Sequence, residues 1–112
     1  MTTTDEYAAA WIEARGRLQT NAGSTEAHYR PTIRVVSVDP GVPEALKEHF
    51  GSGELNYFVP RSAPHMTLYT WQVRGTPAVK ALRRTAPHMI TDLREDAERA
   101  LEREEQKARA RC

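Results

Sequence analysis

The sequence predicts an α+β fold in which an αββ unit occurs twice and four antiparallel strands form one sheet, covered by helices on one face. Four short segments alternate polar and apolar residues with the period of two that is typical of half-buried strands. Helix-like segments lie between the strand pairs, and several of them end at glycine. The order along the chain is helix, two strands, helix, two strands, helix, helix, so a helix precedes each pair of strands.

The first unit begins with a helix that has Thr4 or Asp5 as its cap and ends at Gly16. A strand is predicted at residues 17–21, where Arg, Gln and Asn alternate with Leu and Thr. A turn over residues 22–25 separates it from a second strand at about residues 29–38.

The second unit begins with a helix at residues 42–50, which opens near a proline and is stopped by glycines. Strands are predicted at residues 55–59 and 67–74, joined by a loop that contains two prolines. A third helix follows Thr76-Pro77, and Pro87 ends it or lies just beyond it. A long helix is predicted from Thr91 to about Arg109, and its apolar positions end after its first turns.

Composition limits the class of protein. The 112 residues are expected to form one domain, residues 1–112, with a polar lead-in at 1–4 and a charged helix end at 102–112. The net charge is only +1, but 13 of the 16 basic residues are Arg, whose planar guanidinium suits phosphates and guanine edges.

The one cysteine, Cys112, predicts neither an internal disulfide nor a metal site. No segment resembles a signal peptide or a membrane helix, so a soluble cytoplasmic protein without a membrane partner is expected.

The first helix carries alanines where a surface helix of this length usually carries leucine or isoleucine. Small side chains let a second helix backbone approach closely. Ala9, Ala10 and Ala14 are therefore predicted to contact a second subunit. The simpler interpretation, that this helix only packs on its own sheet, remains open.

Alternation in the strands places polar side chains on the sheet face that no helix covers. Arginines on such a face are either solvated charges or contacts to nucleic acid, and the residues alone leave both open. The predicted DNA-contacting residues of the strands are Arg17, Gln19, Asn21, Arg30, Thr32, Arg34, Thr70, Gln72 and Arg74.

Four segments follow one another in a recognisable order: Ala8-Ala-Ala-Trp-Ile-Glu-Ala-Arg-Gly16, a strand-turn-helix that ends at Phe50-Gly51, the strand Tyr69–Gly75 and a helix start at Arg94-Glu-Asp-Ala97. This series resembles the LAGLIDADG homing endonucleases over about residues 7–101. The resemblance implies a saddle-shaped sheet that lies in the major groove and reads base edges with Arg and Gln. One motif per chain implies a homodimer on a pseudo-palindromic DNA site, with the motif helices packed along the two-fold axis.

The chain departs from this family where the chemistry would occur. The position directly before the last glycine of the motif holds the family's metal-binding acid, and here it is Arg15, a cation that cannot bind Mg²⁺. The lysine that often precedes the family's last helix is also absent, since Asp92 and Leu93 occupy that region. Glu13 lies two residues before Arg15, about 200° round the helix, and is poorly placed to substitute.

The expected function is therefore a homodimeric, sequence-specific double-stranded DNA-binding protein without cleavage activity, cofactor or metal, and a regulator is one role open to it. Arg15 is expected to meet DNA phosphates, or Glu13 is expected to neutralise it across the dimer contact. Two alternatives remain. One is an active or nicking endonuclease that uses Mg²⁺ and Glu13. The other is a protein-interaction module or inhibitor that reuses the scaffold.

Overall fold

The computed structural model describes residues 3–19 and 31–110, and these residues confirm the predicted α+β fold. The sheet is antiparallel, and its four strands stand in the order β1-β2-β4-β3. The elements are α1 (Asp5–Arg15), β1 (Gly16–Gln19), β2 (Thr32–Ser37), α2 (Gly41–Phe50), β3 (Glu54–Phe58), β4 (Leu68–Arg74), α3 (Thr76–Thr85), a 3-10 turn (Ala86–His88) and α4 (Leu93–Ala110).

Helix α1 has a side-chain cap at its start and a required glycine at its end. The Thr4 hydroxyl accepts the Tyr7 N–H at 3.1 Å, and this bond satisfies one of the N–H groups that a helix start leaves unpaired. At the other end, a Cβ on Gly16 would lie 2.8 Å from the Cα of Ile12. Only glycine therefore lets β1 leave the helix at this angle.

The core lies between one face of the sheet and the helices. Its largest buried side chains include Ile12 of α1, Ile33 of β2, Leu46 of α2 and Leu82 of α3. Trp71 of β4 is fully buried as well, and its indole Nε1–H donates to the Ser52 carbonyl oxygen at 3.0 Å. The indole therefore buries a large apolar surface without leaving a polar group unpaired.

A polar cluster holds the helices together at the rim of this core. The Asp5 carboxylate lies 2.8 Å from His49 Nε2 and 2.9 Å from an Arg84 guanidinium nitrogen. The hydrogen bond from His49 does most to lower the pKa of Asp5; desolvation raises it, and Arg84 lowers it further. The Arg84 guanidinium also lies 4.9 Å from the centre of the Phe50 ring, so the cluster joins α1, α2 and α3.

Boundaries differ from the predictions by a few residues. Strand β2 begins at Thr32, and residues 29 and 30 of the predicted strand lie outside the described residues, as does the predicted turn at 22–25. Helix α4 begins at Leu93, two residues after the predicted start at Thr91. Thr91 and Asp92 precede the helix and accept its first hydrogen bonds: the Thr91 carbonyl oxygen accepts the Arg94 N–H at 3.0 Å, and the Asp92 carbonyl oxygen accepts the Glu95 N–H at 3.1 Å. Within the described ranges, no helix combines the length and apolarity needed to cross a membrane.

Candidate nucleic-acid interface

The uncovered face of the sheet brings two arginines directly opposite each other. Arg17 of β1 pairs in register with Arg34 of β2, and Arg34 pairs with Gln72 of β4. Both arginines are exposed. Like charges directly across two strands are destabilising, so an anion bound near these two residues would stabilise the pairing.

The next row of the same face is polar as well. Gln19 pairs with Thr32, and Thr32 pairs with Arg74. Among the described residues of this face, Glu54 of β3 is the one acid, beside Gln72. The described residues of this face therefore carry more positive than negative charge, in a chain whose net charge is only +1.

A concavity of about 590 Å³ lies where this face meets the C-terminal end of α1. Arg15, the last residue of α1, is exposed and lines it together with Arg17 and Arg34. The Arg34 guanidinium stands 5.6 Å from the centre of the Phe58 ring, close enough for a cation–π contact. The remaining apolar lining consists of Trp11, Ala14, Val36, Val38 and Leu68.

Most of the predicted DNA-contacting residues in the described part of the strands reach this face. Arg17, Gln19, Arg34 and Arg74 are exposed on it, and Thr32 and Gln72 are half-buried. Thr70 also belongs to this face but is buried, and its hydroxyl donates to the Asn56 carbonyl oxygen at 3.4 Å. Thr70 is therefore not free to contact a base. Two further predicted residues, Asn21 and Arg30, lie outside the described residues.

Helix α1 is apolar on two opposite sides. Its inner side, with Ala8, Ala9 and Ile12, is fully buried in the core. The prediction that Ala9 contacts a second subunit is therefore wrong, because that side chain is enclosed by its own protomer.

The outer side of α1 is a stripe of four residues that we call the outer stripe: Tyr7, Ala10, Trp11 and Ala14. Tyr7, Ala10 and Ala14 are exposed, whereas Trp11 is half-buried and packs against the edge of the core, with its ring edge-on to Tyr7 at 6.3 Å. The spacing i, i+3, i+4, i+7 marks one helix face. The predicted contact does not include Tyr7 and Trp11, although this spacing identifies them in the sequence.

Glu13 has a partner within its own chain. Its carboxylate accepts the Ile90 N–H at 3.0 Å, the Thr91 N–H at 2.7 Å and the Thr91 hydroxyl. Desolvation raises the pKa of Glu13, but the hydrogen bonds from Thr91 and Ile90 together outweigh it and hold that pKa below its ordinary value of 4.5. These partners lie in its own chain, and the predicted roles of Glu13 as a subunit contact, as the neutraliser of Arg15 and as a catalytic acid stay predictions.

The residues at the end of α1 do not fit a divalent metal ion. Arg15 is a cation, whereas a divalent metal ion takes oxygen ligands, and the Glu13 carboxylate accepts bonds from three donors of its own chain. In the part of the chain that the structure describes, no three His, Cys, Asp or Glu side chains lie close enough together to hold one. No catalytic step through a metal can be derived from these residues.

Comparison with solved structures identifies the fold. The homing endonuclease I-CvuI, in complex with its DNA target, superposes with a TM-score of 0.68 at 16% identity over 88% of this chain. The homing endonuclease I-TnaI superposes with a TM-score of 0.60 at 17% sequence identity, and the match covers 89% of this chain and 70% of I-TnaI. The archaeal intron-encoded I-Vdi141I, complexed with DNA, superposes with a TM-score of 0.59 at 20% sequence identity, and the match covers 93% of this chain and 66% of I-Vdi141I. The chain spans 63% of the length of I-CvuI. No protein-family model matches the sequence, and no curated protein is significantly similar to it.

Proposed function

We propose that this protein binds double-stranded DNA as a homodimer, with the uncovered sheet face in the major groove, and that it recognises a specific site without cleaving it. The observation that carries the proposal is the pairing of Arg17 with Arg34 on a face that also presents Arg15 and Arg74. Duplex DNA is a polyanion, and a surface of this kind gains affinity by releasing its condensed counterions.

The polar residues between these arginines support sequence-specific binding. Gln19 and Gln72 carry amide groups that match adenine edges in the major groove, and arginine matches guanine. Because they stand in the same rows as Arg17, Arg34 and Arg74, one docked sheet can place charged and amide groups against bases and phosphates together. The fold supports this proposal, since I-CvuI and I-Vdi141I are complexed with DNA.

The homodimer is proposed from the outer stripe of α1. An apolar helix face is usually buried, but Tyr7, Ala10 and Ala14 of the outer stripe are exposed in the protomer. The two alanines would let the helix of a second copy approach closely. Two copies related by a two-fold axis would bring both concavities to the middle of a pseudo-palindromic site.

The absence of cleavage is proposed from Arg15 and Glu13. In the dimer, two Arg15 side chains would lie near the centre of the site, where they would neutralise phosphates rather than hold a metal. Such a protein would occupy a site and leave it intact, as a regulator does.

Selection from a pool of random duplexes at low salt tests the proposal, with the full chain and a gel-shift readout. We expect an enriched pseudo-palindromic site. Incubation of a plasmid carrying that site with Mg²⁺ or Mn²⁺ should give neither nicks nor linear product. If no site is enriched, the DNA-binding proposal is wrong; if the plasmid is cut, the non-cleaving part is wrong, and Glu13→Ala then asks whether that carboxylate is the acid.

A further inference from the structure

The candidate DNA face has two chemically different ends. At one end it presents Gln19, Thr32 and Arg74, which we call the polar end. At the end beside Arg15 it presents Val36 of β2, Phe58 of β3 and Leu68 of β4, joined by Val38 just after β2; these four form the apolar end.

Two residues of the apolar end are exposed in the protomer, and the other two, Val36 and Leu68, are half-buried. Val38 is 65% exposed and Phe58 is 38% exposed. Phe58 and Leu68 are direct cross-strand partners, and both line the concavity of about 590 Å³ together with Val36 and Val38. The four side chains therefore line one concavity whose other walls carry guanidinium groups.

The occupant of such a surface must combine negative charge with small apolar groups. The major groove of DNA has both, because phosphates border it and each thymine presents a C5-methyl group into it. An apolar segment of a protein partner would match the four side chains, but it would leave Arg15, Arg17 and Arg34 in the same concavity without an anion. Charge complementarity therefore favours the duplex.

We infer that the apolar end reads the C5-methyl groups of pyrimidines near the centre of the DNA site. This inference rests on the proposed function and names the chemical feature that this part of the site selects. Because the apolar end lies beside Arg15 and Ala14, it falls toward the two-fold axis of the proposed dimer, and the polar end reads the outer base pairs. Arg34, held over the Phe58 ring, is placed to reach a base or phosphate next to the methyl group.

Replacement of thymine by deoxyuridine removes the methyl group and leaves base pairing unchanged. On the selected duplex, with binding followed by fluorescence anisotropy, each thymine that meets the apolar end should lose about fourfold in affinity per methyl, the amount expected for burial of one such group. Replacement of cytosine by 5-methylcytosine at the same positions should raise affinity by a similar factor, since the added methyl occupies the same place in the groove.

Protein variants connect this effect to the apolar end. In Val36→Thr, which preserves the side-chain shape, and in Leu68→Asn, the affinity ratio between thymine and deoxyuridine should fall toward one. Ile90→Asn is the control, since Ile90 is 92% exposed and lies outside the sheet; it should keep the wild-type ratio.

A ratio near one at every position of a selected, tightly bound site overturns the inference and leaves DNA binding intact. A fourfold ratio that survives both Val36→Thr and Leu68→Asn also overturns it, because the methyl contact then lies elsewhere. Failure to select any site refutes DNA binding itself and leaves a protein partner as the occupant of the apolar end.

Discussion

The Glu13 carboxylate accepts the backbone N–H of Thr91 at 2.7 Å, across 78 positions of sequence. Together with the bond from the Ile90 N–H at 3.0 Å, this contact fixes the chain just before α4 against the last turn of α1. Glu13 therefore performs a structural task in this protein. It orients the helix end that carries Arg15 and Gly16.

Replacement of Glu13 by glutamine should destabilise the protein and reduce its sensitivity to acid. The folded-state pKa of Glu13 lies below 4.5, so its contribution to stability is present above that pH and is lost as pH falls through the lowered pKa. At pH 7 the free energy of unfolding should fall by about 1–2 kcal/mol, as for loss of charge-assisted hydrogen bonds at a helix start. Urea unfolding at pH 7, 5 and 3 measures both effects.

Glu48→Gln is the matched control, because Glu48 is exposed on α2. Its unfolding curves should stay close to those of the wild type at each pH. Equal pH dependence in Glu13→Gln and the wild type would show that the hydrogen bonds to Ile90 and Thr91 contribute nothing to stability.

A charge on the outer stripe of α1 should separate the proposed dimer. Ala10→Glu places a carboxylate between two closely packed helices, where it would be desolvated without a partner. Sedimentation equilibrium should give twice the protomer mass for the wild type and the protomer mass for the variant. Ser62→Glu, the same change of charge at an exposed turn position, should remain dimeric. A wild-type protein that is monomeric at micromolar concentration, with or without DNA, would refute the symmetric arrangement.

Two glycines after α2 should differ in their tolerance of a side chain. Gly51 and Gly53 both have positive φ, 71° and 114°, but only at Gly53 would a Cβ meet the buried Trp71 ring, 2.9 Å from its Cδ1 atom. Gly51→Ala should cost about 1–2 kcal/mol, the strain of a left-handed conformation. Gly53→Ala should cost more, since the indole must also shift away from its hydrogen bond to Ser52. Thermal unfolding of the two variants compares them, and equal losses would show that Trp71 adjusts freely.

The sequence predicts local structure well where burial and period agree. In β2, Ile33 and Val35 are buried and Arg34 is exposed between them, as alternation requires. In β3 the strand is present, but all five residues are exposed because β3 is an edge strand beyond the cover of the helices. Alternation identifies a strand, but it does not say where that strand stands in the sheet.

The candidate site shows the same limit. Ala9 and Ala10 are the same residue type at adjacent positions, yet Ala9 is buried and Ala10 is exposed. The orientation of α1 about its axis relative to the sheet decides which of the two is buried. Thr70 has the period of an outward residue, but the neighbouring strands bury it. The hydrogen bonds between Glu13 and Thr91 could not be predicted from the sequence either, because the two residues are 78 positions apart and no local pattern connects them. The positions of Arg17, Arg34 and Arg74 on the uncovered face could be predicted, because the alternation of polar and apolar residues along each strand is sufficient to assign a side chain to a face.

The arginine face itself is tested by the affinity of charge-reversed proteins for the selected duplex, measured by anisotropy at several salt concentrations. In the double variant Arg34→Glu, Arg74→Glu, affinity should fall about 100-fold or more, because each lost base contact costs about 1–3 kcal/mol, and the salt dependence should become shallower. The matched variant Lys80→Glu, Arg83→Glu reverses the charge of two exposed cations of α3. Its affinity for the duplex should stay within about threefold of the wild-type value, because no base contact is lost. Equal affinity of the two variants would contradict the proposal that this sheet face binds DNA.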